Sequence, residues 1–106
     1  MIDTTAADYT DYIPGTYTIS IEGSDPVIAA IPGMRYVCSA SYVTSLSFTP
    51  SATGICSIRF TSGTTPTVLT LPNTVVMPDW WTGVEANRTY EISIADGVYG
   101  AVTSWA

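Results

Sequence analysis

Apolar and polar residues alternate along most of this chain with a period of two, the spacing of a strand with one face buried. Tyr17, Ile19 and Ile21 alternate with Thr16, Thr18 and Ser20, and Gly23-Ser24-Asp25-Pro26 reads as the turn that ends them. Val27 to Ile31 is a short apolar run closed by Pro32-Gly33, after which Met34, Tyr36 and Cys38 alternate with Arg35, Val37 and Ser39. Leu46 and Phe48 continue the pattern beyond a loop at Ser39-Ala40-Ser41. Pro50 to Gly54 supplies turn residues before Cys56, Ile58 and Phe60, which predicts a hairpin between these two strands. A further turn from Thr61 to Pro66 leads to a short strand at Thr67 to Leu71, stopped by Pro72-Asn73. Thr74 to Asn87 is the least regular region. Tyr90, Ile92 and Ile94 then alternate with Glu91, Ser93 and Ala95, and Asp96-Gly97 is the strongest short hairpin signal, with Tyr99, Ala101, Thr103 and Trp105 beyond it.

With no helical stretch of credible length, the pattern predicts an all-β fold: a small antiparallel β-sandwich or barrel, as a single domain. The length of 106 residues supports one modest core. Residues 13–106 form that domain in this reading. Residues 1–12 lack the alternation and carry three carboxylates, so they are expected to be a flexible or docking arm.

Composition sharpens the picture. The chain is 46% hydrophobic with a mean hydropathy of +0.28, yet only 11% of its residues are charged, against about 25% in an ordinary soluble domain. Serine and threonine make up about a quarter of the chain and supply the polar faces of the strands. Nine acidic residues oppose three arginines, Arg35, Arg59 and Arg88, giving a net charge of -6 with no lysine and no histidine. Three dispersed arginines in an acidic field argue against nucleic-acid binding, which needs several neutralised phosphates. The lack of histidine removes the commonest general base and metal ligand and any Ser-His or Cys-His nucleophile. The acidic start is unlike a secretory signal, and no stretch reaches the ~20 apolar residues of a membrane span. Synthesis in a cytoplasm without membrane insertion is expected, with Cys38 and Cys56 as thiols in the core.

Candidate chemistry is sparse. The carboxylates match no calcium-loop spacing, so no metal, cofactor or catalytic residue is assigned. Arg59, on the polar face of its strand, is placed to pair with a carboxylate on a neighbouring strand. The pair Trp80-Trp81, between Pro78-Asp79 and Thr82-Gly83, is the best contact candidate. Adjacent residues on an extended segment point to opposite sides, which predicts one tryptophan packed on the core and one exposed to a partner or a sugar ring. Trp80, Trp81, Asp79 and Thr82 are therefore the candidate interface or ligand residues, with Asn87 as a further polar neighbour. The tyrosines and Trp105 read more simply as strand residues.

Two segments carry a resemblance. Phe60-Thr61-Ser62-Gly63-Thr64-Thr65-Pro66-Thr67-Val68-Leu69-Thr70-Leu71-Pro72 and Glu85-Ala86-Asn87-Arg88-Thr89-Tyr90-Glu91-Ile92-Ser93-Ile94, with the closing Gly97 to Trp105, are similar to a C-terminal β-module of virion structural proteins of tailed bacteriophages infecting gut Firmicutes and their relatives. There an FTSGxTPTxLTLP segment and an EANKTYEISI segment recur; Arg88 stands where lysine is common. The resemblance covers roughly residues 34–106. It implies a non-enzymatic virion protein, a head-fibre or decoration or a tail or baseplate component, that contacts other virion proteins and assembles as a homo-oligomer, with a trimer as the first expectation. The alternative is a carbohydrate-binding adhesin module that presents its tryptophan loop to host-surface glycans.

Overall fold

The computed structural model describes residues 17–106; the expected arm at residues 1–12 lies outside them. Among the described residues eight strands, and no helix, form in chain order: β1 (Tyr17–Ile21), β2 (Val27–Ala29), β3 (Met34–Cys38), β4 (Ser45–Thr49), β5 (Ile55–Thr61), β6 (Val68–Thr70), β7 (Thr89–Ala95) and β8 (Tyr99–Trp105). They make a five-stranded sheet in the order β1-β3-β5-β7-β8 and a three-stranded sheet in the order β2-β4-β6. The fold is all-β, as the alternation predicts. No helix among these residues is long and apolar enough to cross a membrane.

The antiparallel expectation holds for only part of the molecule. β5, β7 and β8 pair antiparallel, but β1-β3, β3-β5, β2-β4 and β4-β6 are all parallel. The chain alternates between the sheets from β1 to β6, so each strand of one sheet serves as the crossover that returns the chain, in the same direction, to the other. The hairpin predicted around Pro50 to Gly54 is corrected accordingly: β4 and β5 lie in different sheets. Leu46 and Phe48 meet Cys56, Ile58 and Phe60 as part of one core instead of side by side in one sheet. Alternation marks which face of a strand is buried and is silent about which sheet holds the strand.

The second hairpin forms as predicted. Asp96 and Gly97 both adopt positive φ, 55° and 70°, and the Val98 N–H donates to the Ala95 carbonyl at 3.0 Å, the φ signs and closing bond of a type I′ turn. Asp96 also anchors this turn to the neighbouring loop: its N–H donates to the Gly54 carbonyl at 2.8 Å, and its carboxylate accepts from the Gly54 N–H at 3.1 Å.

One cluster forms the core: Ile28, Leu46 and Phe48 from the small sheet, Tyr36, Cys56, Ile58, Phe60, Tyr90, Ile92 and Ile94 from the large one, and Val43 from a loop. On β8 the inward row holds Gly100 opposite Ile94. A side chain there would begin 2.6 Å from the Met77 sulfur, so glycine lets the irregular segment fold against the sheet. Val76 bridges to Tyr99 on that edge.

Candidate functional site

The loops at one end of the large sheet, where β5 ends and β7 begins, bring together most of the predicted contact residues. Ser62 organises this end. Its side chain is fully buried, and its hydroxyl donates to the Glu85 carbonyl and accepts from the Arg88 N–H at 3.3 Å. Its own N–H donates to the Arg88 carbonyl at 2.8 Å, and the Asn87 N–H donates to the Gly63 carbonyl at 2.8 Å. Asn87 sits at φ 59°, a left-handed conformation that asparagine tolerates better than most residues. Thr67, also buried, donates to the Val43 carbonyl at 2.6 Å. These polar side chains satisfy buried backbone groups that would otherwise destabilise the loops.

On this frame sits an open cavity of about 190 Å³ lined by Trp80, Trp81, Thr82, Glu85, Arg88 and Tyr90, together with Gly83 and Ser104. Trp81 is half-buried and meets the Tyr90 ring edge to face at 5.7 Å; Tyr90 in turn stacks on Phe60 at 5.6 Å. Trp80 contacts Trp81 at 6.4 Å and is 61% exposed. One ring packs on the core and the other faces outward, although the pair lies in a turn and not on the extended segment from which that division was expected. The Trp81 N–H closes the turn by donating to the Pro78 carbonyl at 2.9 Å. The Tyr90 hydroxyl accepts from the Glu85 N–H at 2.8 Å, and Arg88 Nη2 donates to Ser104 Oγ at 3.0 Å.

Trp80, Trp81 and Thr82 thus share the cavity, whereas Asp79 is exposed and does not line it. Glu85, Arg88, Tyr90 and Ser104 enter the lining without having been singled out as contact residues; only the folding of the 82–88 loop onto Ser62 and the pairing of β7 with β8 place them there. Tyr42, read as a strand residue, instead stands exposed in a loop and borders a second hollow of about 330 Å³ with Thr44, Gly63, Thr64 and Thr65.

The remaining charge chemistry lies on the outer face of the large sheet. Glu91 accepts from Arg35 Nε at 2.8 Å and Nη2 at 3.0 Å, and from Arg59 Nε at 2.9 Å. Arg59 and Glu91 are direct cross-strand neighbours, which realises the pairing expected for Arg59. Arg35 arrives from β3, two strands away. The hydrogen bonds from Arg35, with those from Arg59 acting against the opposing pull of burial, hold the Glu91 carboxyl below the usual carboxylate range. Arg59 also lies 4.9 Å over the Trp105 ring. Cys38 and Cys56 are both free thiols, the second buried. Burial pushes the Cys38 thiol up to about 11 and raises that of Cys56, so neither is a ready nucleophile. Among the described residues no group of three His, Cys, Asp or Glu stands close enough to hold a metal ion.

No protein-family model matches this chain, and neither a curated protein nor a solved structure gives a significant match.

Proposed function

We propose that the protein is a structural component of a tailed-bacteriophage particle, a head-fibre or decoration or a tail or baseplate protein, that works through protein-protein contacts and not through catalysis. One observation carries the reading. The two segments that resemble the virion β-module are each other's structural partners: Phe60 pairs with Tyr90 and Thr61 with Thr89, and Ser62 ties the first segment to Glu85 and Arg88 of the second. The resembling letters thus correspond to one continuous folding unit of buried rings and satisfied backbone groups, the kind of residues a recurring module retains for its shape.

A contact surface of suitable chemistry accompanies that unit. The outward row of the small sheet carries Val27, Ala29 and Val68 among Ser45, Ser47, Thr49 and Thr70, with no charged side chain on these strands. Val27 is 83% and Val68 64% exposed. An uncharged face of this kind suits packing against another subunit or another particle protein, and supports homo-oligomeric assembly with a trimer as the first expectation and the sandwich form of the fold as its building block. Mass spectrometry of gradient-purified particles tests the reading, with tens to hundreds of copies per particle expected. Absence from particles overturns it. Light scattering that finds only 11 kDa monomers at micromolar concentration overturns the oligomer.

The tryptophan cavity favours a second reading, a carbohydrate-binding module for host-surface glycans. An exposed indole beside hydroxyl, guanidinium and carboxylate groups offers both the stacking face and the hydrogen-bonding groups that a sugar ring uses. Glycan binding that Trp80→Ala removes would support it, and the two roles are compatible in one particle protein.

A further inference from the structure

The three arginines of this acidic chain differ in one respect. Arg35 and Arg59 share the Glu91 carboxylate, whereas Arg88 makes no ion pair with any described residue. Arg88 is nevertheless half-buried, on the wall of the cavity that also presents Trp80. Its one side-chain hydrogen bond among the described residues goes to a neutral acceptor, Ser104 Oγ, which steadies the guanidinium without neutralising it. A partly desolvated cation beside aromatic rings, with no counter-charge of its own, is an arrangement that an incoming anion stabilises.

From this we infer that the cavity takes an anionic sugar residue, a hexose ring that bears a carboxylate or sulfate. The inference rests on the glycan-binding reading of the tryptophan loop and names the class of sugar. The ring stacks on the exposed face of Trp80, and the anionic group accepts hydrogen bonds from Arg88. The volume of about 190 Å³ fits one monosaccharide unit, so the site holds a single residue of a glycan and leaves the rest of the chain outside. Glu85 lines the same cavity without bonding to Arg88. Its carboxylate accepts from a sugar hydroxyl and repels a misplaced anion, which fixes the orientation of the ring.

The test is a titration of the full chain with methyl β-glucuronide, glucose 6-sulfate and methyl β-glucoside, followed through the indole N–H resonance of Trp80. At least one anionic sugar is expected to bind tenfold or more tighter than the neutral one, and the tighter of the two identifies the anion. Arg88→Gln should remove that preference, with a much smaller loss for the neutral sugar. Glu85→Gln, at an exposed position, should raise affinity for the anionic sugar several-fold and keeps the test decisive should Arg88→Gln fail to fold. Equal binding of all three sugars, or an anionic preference that Arg88→Gln leaves intact, overturns the anionic assignment and leaves the glycan reading standing. No binding of any of the three at millimolar concentration overturns both.

Discussion

The outer face of the large sheet and the loop end of the same sheet are built from the same residue types, and they have opposite chemical states. Around Glu91, two arginines, one carboxylate and Trp105 form a closed set in which the charged groups meet one another and the indole lies against Arg59. Around Trp80, an arginine, a carboxylate and two indoles share a cavity, yet the guanidinium and carboxylate do not meet and one indole faces outward. Arginine and tryptophan together therefore do not make a binding site. The distinction lies in whether the protein already satisfies them, and it follows from backbone geometry: β5 and β7 place Arg59 directly opposite Glu91, while the 82–88 loop holds Glu85 and Arg88 apart on a frame pinned by Ser62.

Substitutions should separate the two regions by size and kind of effect. The largest loss is expected for Trp81→Ala, because removing a half-buried ring from its contact with Tyr90 leaves a gap at the edge of the core; about 2 to 3 kcal/mol of unfolding free energy should disappear in urea titration. Glu91→Gln should cost about 1 to 2 kcal/mol at neutral pH, since both arginines lose their charged acceptor in a partly solvated setting. This cost should depend on pH. The folded-state Glu91 carboxyl lies below its unfolded value, so its stabilisation is present above the unfolded pKa and is lost as pH falls through the folded one. Unfolding measured between pH 7 and pH 2 should show the wild type and Glu91→Gln converge in acid; parallel curves would contradict the role given to this carboxylate.

Smaller effects should sharpen the contrast. Arg59→Ala removes one of the two partners of Glu91 and the cation above Trp105, and is expected to cost about 0.5 to 1 kcal/mol because the guanidinium is well exposed; a shift in Trp105 fluorescence would accompany it. Trp80→Ala should change stability by no more than about 0.5 kcal/mol, while a large loss of sugar binding or particle incorporation is expected on the proposed readings. A Trp80→Ala protein as unstable as Trp81→Ala would show that both rings serve packing and would erase the difference between the two regions.

Much of this was legible before the fold was known. The strand at each alternating segment, the turn at Asp96-Gly97 and a cross-strand partner for Arg59 all follow from local rules: side chains alternate across a strand, two positive-φ residues favour a tight hairpin, and a polar-face arginine reaches its neighbours; the division between the two tryptophans arises instead from a turn. The identity of that partner was not legible. Arg35 meets Glu91 across an intervening strand, with the small Ser57 in its own row on β5, and that depends on the parallel register of β3 against β5. Asp79, adjacent to the tryptophans in sequence, proved less relevant to the cavity than Arg88, because a loop that folds back brings the more distant residue closer.

The sequence by itself determined that the chain is all-β, which side chains of β3, β4, β5 and β7 face the core, and that histidine chemistry is missing, because periodicity, turn chemistry and composition act over a few residues or none; on β8 it favoured Tyr99, Ala101, Thr103 and Trp105, whereas the structure turns Gly100, Val102 and Ser104 inward. Only the tertiary structure decided that β1 to β6 wind alternately between two sheets in which they pair in parallel, and that one arginine of three has no carboxylate partner among the described residues. Period-two patterning looks the same in a parallel and an antiparallel sheet, and a charge is satisfied or unsatisfied only once distant strands have settled into register.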